Sequence, residues 1–113
     1  MSRCLAILDG VAVATFTQSV LGLEDMRRRL GALLALLEES GGGELCVDLS
    51  AVDLLTAGGV GGLVLLRRAV DAAGGRLTLT GVGGMVHEVL RLCRLLDVFD
   101  VHPLWAAAES AVA

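Results

Sequence analysis

The stretch that most constrains the fold is Glu44 to Leu66, ELCVDLSAVDLLTAGGVGGLVLL. Leu45, Cys46 and Val47 form a short apolar run that stops at Asp48, with Ser50 close behind. This predicts a strand buried on both faces that ends where the carboxylate begins. After a turn, Thr56 precedes Ala57, Gly58, Gly59, Val60, Gly61, Gly62 and a further apolar run, which reads as a helix start capped by the threonine hydroxyl. A buried strand passing through a polar turn into a helix calls for a crossover connection and hence parallel pairing.

That helix start is poor by propensity, because each interior glycine costs roughly 1 kcal/mol relative to alanine. Either close approach of another backbone or partner surface, or an anion held on the N–H groups of the helix N-terminus, would compensate. The first is more economical. The spacing makes no dinucleotide fingerprint, since Val64 stands where the third glycine is needed, and a chain without lysine has no Walker A motif. The helix, expected over about Gly58 to Ala73, carries no charge before Arg67. It is either covered on both sides by its own domain or offers one side to another chain.

The elements before and after fit an alternating α/β chain. Leu5 to Leu8, Asp9-Gly10 and Val11 to Phe16 predict a hairpin with a tight primed turn. Thr17 to Gly22 reads as a connection, and Leu23 to Ser40 as a helix with Met26, Leu30, Leu33, Leu34 and Leu37 on one face. Glu24 and Asp25 suit its first turn, and Arg27, Arg28 and Arg29 read as a solvated face. Gly41 to Gly43 stop it. Leu77 to Thr80 predicts a strand, and Met85, Val86, Val89, Leu90 and Cys93 the buried stripe of a helix whose polar side carries His87. Val98 to Val101 reads as a last strand ending at His102-Pro103, and Leu104 to Ala113 as a final helix anchored by Trp105. The fold expected is one α/β domain over residues 1–113, with a mixed sheet of about five strands and about four helices.

Composition narrows function by exclusion. With 113 residues there is room for one core. A net charge of −4, nine basic residues that are all arginine and very few aromatics argue against a nucleic-acid partner. The longest uncharged apolar run, Leu54 to Leu66, is too short to span a bilayer, and the N-terminal run broken by Asp9 is too short for a signal peptide, so the expected location is cytoplasmic. Cys4, Cys46 and Cys93 lack metal or disulfide spacing and read as buried free thiols. Two histidines, no tyrosine or lysine and no H-E-x-x-H leave little for catalysis, so no enzyme activity, metal or cofactor is expected.

Several motifs together resemble the STAS domains, and within them the bacterial anti-sigma factor antagonists. Asp48, Leu49 and Ser50 match the end of the family's strand, and Val52, Leu54 and Leu55 its hydrophobic bridge. Gly59 matches the small-residue helix start. Gly74, Gly75, Arg76, Leu77 and Leu79 match the later strand, and Val82, Val89, Leu90, Leu95, Leu96 and Phe99 match the downstream helix and the Leu-x-x-Phe segment near its end. The match runs from Glu44 to the C-terminus and is looser before it. One departure bears on function: the family's Asp-Ser pair is here Thr56-Ala57.

The resemblance implies a non-enzymatic regulatory domain that docks on an anti-sigma factor or serine kinase of histidine-kinase-like ATPase fold. In the family the serine is phosphorylated by that partner and the phosphate breaks the complex. Ala57 cannot be phosphorylated, which would leave binding permanently on, and Thr56 is read as a helix cap in preference to a phosphorylation site. The partner surface expected is Asp48, Ser50, Asp53, Thr56, Ala57, Gly58, Gly59, Val60 and Leu63. Two other readings stand beside it: a self-associating scaffold, a homodimer through the uncharged helix, and a small-ligand sensor with a nucleotide or lipid on the glycine-rich turn.

Overall fold

A computed structural model describes residues 5–41 and 43–103. The strands and helices, in chain order, are β1 (Leu5–Leu8), β2 (Val11–Thr15), β3 (Val20–Leu21), α1 (Leu23–Glu39), β4 (Glu44–Asp48), β5 (Leu54–Leu55), α2 (Ala57–Ala72), β6 (Arg76–Val82), α3 (Gly84–Leu92) and β7 (Asp100–Pro103). Asp9 and Gly10, at φ 52° and 80°, make the left-handed turn that joins β1 to β2.

The main sheet has five strands in the order β1-β2-β4-β6-β7. β1 runs antiparallel to β2, and the remaining pairs are parallel. Ala12 and Ala14, Leu45 and Val47, and Leu77 and Leu79 alternate along three neighbouring strands and share one face, where all six are buried. Against the core, α1 buries Met26, Leu33 and Leu37, and α2 buries Leu63, Leu66 and Val70. A crossover helix between parallel strands leaves the end of each strand beside the start of the next helix, so β4 delivers Asp48 to the same rim of the sheet as the start of α2.

The architecture is the mixed α/β sheet expected, with three helices among the described residues; the expected final helix, Leu104 to Ala113 with Trp105, lies outside them. Four local expectations are corrected. The connection from Thr17 to Gly22 contains a strand, β3, which pairs in parallel with β5 as a separate two-stranded sheet. In α3 only Val86 and Leu90 are buried: Met85 lies in the first turn and is exposed, and Cys93 caps the helix just before Arg94 turns left-handed at φ 60°, which leaves the thiol in solvent. The cysteines are therefore not buried thiols, since Cys46 is half-buried; Cys4 lies outside the described residues. The last strand begins at Asp100 and includes His102 and Pro103, while Val98 and Phe99 belong to the preceding turn, tied to Leu95 by backbone hydrogen bonds.

Candidate functional site

The site is built where β4 ends. The Asp48 Oδ1 accepts the Ser50 N–H at 2.9 Å, a side-chain turn that lets the strand stop at its carboxylate. The neighbouring strands hold this corner, with Leu49 N–H donating to the Thr80 carbonyl at 2.9 Å and Phe16 N–H to the Asp48 carbonyl at 3.2 Å. Gly81, at φ 64°, closes it from β6. A Cβ there would lie 2.8 Å from both Asp48 Oδ1 and the Ser50 Cβ, so a side chain at 81 would push the turn apart.

From Ser50 the chain reaches α2 through the small sheet. The Ser19 carbonyl accepts from Asp53 N–H at 2.7 Å and Leu54 N–H at 3.0 Å, and the Leu21 carbonyl from Thr56 N–H at 3.1 Å. Because side chains alternate along a strand, this ladder buries Leu21 and Leu55 and turns the paired Val20 and Leu54 outward, 47% and 44% exposed. Two apolar side chains thus stand side by side in water next to Asp53, which is also exposed. Val20 was not expected on the partner surface from sequence, and Leu54, inside the Asp53 to Leu63 stretch expected to dock, was not singled out there. The signal was present in the two-residue match of Val20-Leu21 to Leu54-Leu55, but pairs so short carry no periodicity.

Thr56 caps α2 as expected: its Oγ1 accepts the Gly59 N–H at 3.0 Å, and it lies 3.4 Å from the Leu21 carbonyl, to which the hydroxyl donates. Ala57 is the first helical residue and is exposed. Three of the four glycines are explained by close approach within the chain. A Cβ on Gly58 would come 2.9 Å from the Leu23 Cβ, one on Gly59 2.3 Å from the Leu21 carbonyl oxygen, and one on Gly62 2.5 Å from the Met26 Cγ. Only above Gly61 is there open space. The glycine content that suggested an anion site therefore serves α1 and β3 instead.

The expected partner residues fall into two layers. Ser50, Asp53 and Ala57 are exposed, and Asp48, Thr56, Gly58 and Val60 are partly so. Gly59 is buried and Leu63 is 0% exposed, so these two underlie the surface and do not face solvent. Neither Asp48 nor Asp53 has an ion-pair partner among the described residues, which leaves two carboxylates on a rim that also carries the Val20 and Leu54 side chains. Such a rim can receive an apolar protrusion flanked by cations. Among the described residues no cluster of three or more His, Cys, Asp or Glu could hold a metal ion, and no helix is long and apolar enough to cross a membrane.

The fold and sequence have recognisable relatives. The family described as "Mlab, STAS domain" matches residues 18–100, which takes in both strands of the small sheet and the whole of α2. No curated protein matches the chain in sequence. Among solved structures, an anti-sigma factor antagonist (STAS) domain protein from Planctomyces limnophilus aligns with a TM-score of 0.74 at 18% identity, covering 88% of this chain and 87% of that one. A candidate anti-sigma factor antagonist of Thermotoga maritima aligns at 0.73 and 19%, covering 96% and 92%. A sulfate transporter family protein of Wolinella succinogenes aligns at 0.69 and 19%, covering 95% and 89%. At these identities the structural likenesses establish the fold, and the family match over 18–100 adds the lineage: the chain belongs to the STAS domain family.

Proposed function

We propose that the domain is a non-enzymatic, cytoplasmic regulatory module of the anti-sigma factor antagonist kind. It docks on an anti-sigma factor or serine kinase of histidine-kinase-like ATPase fold. The contact surface is Asp48, Ser50, Asp53, Thr56, Ala57, Gly58 and Val60, resting on Gly59 and Leu63 and extended by Val20 and Leu54.

The observation that carries this reading is the exposed Val20–Leu54 pair beside Asp53 at the start of α2. Apolar side chains beside unpaired carboxylates suit a protein surface more than a small solute. Ala57, which has no hydroxyl, supports the further point that no phosphate switch operates at the first residue of α2, and the neighbouring Thr56 hydroxyl serves as the helix cap. Binding is then governed by how much of each protein is present.

The test is a titration of the purified domain into an ATPase-fold anti-sigma factor of the same organism, with ATP and magnesium. A stable complex whose STAS component keeps its mass through prolonged incubation is the expected result. A complex that dissolves as the domain gains phosphate overturns the unswitched reading, and no complex with any such protein overturns the docking reading.

A further inference from the structure

A different surface has a charge arrangement that the docking reading does not use. α1 and α2 pack side by side, with Gly58 against Leu23 and Gly62 against Met26, and two hollows, a small one near the helix starts and a larger one near their ends, mark out a shallow groove along the seam between them. The hollow towards the end of the helices holds about 580 Å³ over Leu34, Ala35, Ala69 and Ala73, an apolar floor. Nearer their start Leu65, 48% exposed, stands at the same seam beside Leu30.

The two ends of the groove carry opposite charge. Arg27 lines one end and Glu38 the other; both are exposed, and neither has an ion-pair partner among the described residues. They are eleven residues apart in α1, which places them about three turns and 16 Å apart along nearly the same line of the helix. Between them Gly31 sits in mid-helix with nothing among the described residues within 4 Å of where its Cβ would be, so no contact with them accounts for it. A glycine that weakens a helix without an internal reason leaves room for a close approach from outside.

A groove that is positive at one end, negative at the other and apolar between is complementary to itself turned end for end. The geometry points to a second copy of this chain as its occupant, in an antiparallel two-fold pair formed face to face across the α1–α2 seam. The two-fold axis passes near Leu34, and each Arg27 meets the partner's Glu38. Leu65 of each copy then fills the apolar floor opposite. This pairing leaves Val20, Leu54 and Asp53 outside the contact, so it neither needs nor blocks the docking proposed above.

The pairing is tested on the purified full chain by light scattering and sedimentation at protein concentrations on the order of 100 μM. Wild type is expected at twice the chain mass, with association weakening as salt rises. Arg27→Glu and Glu38→Arg should each weaken association by about tenfold, because each change turns two attractions into two repulsions. The double variant Arg27→Glu/Glu38→Arg should restore it. Circular dichroism and melting of the variants at dilutions where wild type is also a single chain, unchanged because both side chains are exposed, exclude misfolding as the cause. A single-chain mass at every concentration overturns the proposal, as does a dimer indifferent to the single reversals or one that the double reversal fails to rescue.

Discussion

Gly59 in α2 approaches the backbone of Leu21 in β3 so closely that a methyl group on it would lie 2.3 Å from the Leu21 carbonyl oxygen. That same carbonyl accepts from Thr56 N–H. Adding a Cβ at 59 therefore moves the helix start away from the small sheet. Gly59→Ala is expected to destabilise the domain by about 2 kcal/mol, at the middle of the range for overpacked cores. Gly61→Ala, into open space on the same helix, is expected to stabilise it by about 1 kcal/mol. Chemical denaturation of the two variants gives both signs.

Thr56 bears on stability chiefly by accepting the Gly59 N–H on its Oγ1, with the hydroxyl's longer bond to the Leu21 carbonyl beside it. Thr56→Ala is expected to cost about 1 kcal/mol and Thr56→Ser much less, because serine keeps the accepting oxygen. Thermal melts of the pair check this. A threonine whose loss is silent would not be capping α2.

The start of α1 is acid-sensitive. The Asp25 carboxylate accepts the Gly22 N–H at 2.9 Å, and this backbone hydrogen bond is the main cause holding its pKa below the ordinary 3.8, with Gln18 and Arg28 adding to it against some desolvation. A pKa lowered by folding contributes stability that is complete above the unfolded value and disappears as pH falls through the folded one. The excess stability of wild type over Asp25→Asn should accordingly hold at neutral pH and shrink below about pH 4. Denaturation midpoints of both proteins across that range are the measurement.

The proposed correspondence puts Ala57 at the position of the serine in the family's Asp-Ser pair. Ala57→Ser, incubated with an ATPase-fold serine kinase that binds the domain, is expected to gain one phosphate and then release its partner, while wild type keeps its mass. Phosphate on wild-type Thr56, found by fragmentation of the intact protein, would contradict the unswitched reading.

Much of this was legible in the chain itself. The order of β4, turn and α2 followed from where an apolar run met Asp48 and where Thr56 met a small-residue stretch, and the Asp9-Gly10 hairpin from a backbone requirement that few residue pairs meet. Long amphipathic patterns such as α1 were read almost to the residue, because burial repeated over several turns leaves one face to choose. The small sheet was not legible, since a two-residue strand has too few side chains to show alternation and its partner lies far along the chain. Nor was Gly81, whose left-handed turn beside Asp48 depends on a neighbouring strand. The cost of the glycines in α2 was visible in sequence, while the identity of the atoms above them, Leu23, Leu21 and Met26, required the fold.

Docking through the rim is tested most directly by the affinity of the ATPase-fold partner for wild type, for Val20→Asp/Leu54→Asp and for Arg27→Glu. The paired aspartates are expected to weaken binding by at least about tenfold, in keeping with loss of a central apolar contact, and to lower the melting temperature only modestly, since each side chain is nearly half exposed although two like charges then face each other across β3 and β5. Arg27→Glu should bind like wild type. Undiminished affinity of the paired-aspartate variant would contradict the claim that the rim formed by β3, β5 and the start of α2 is where this domain meets its partner.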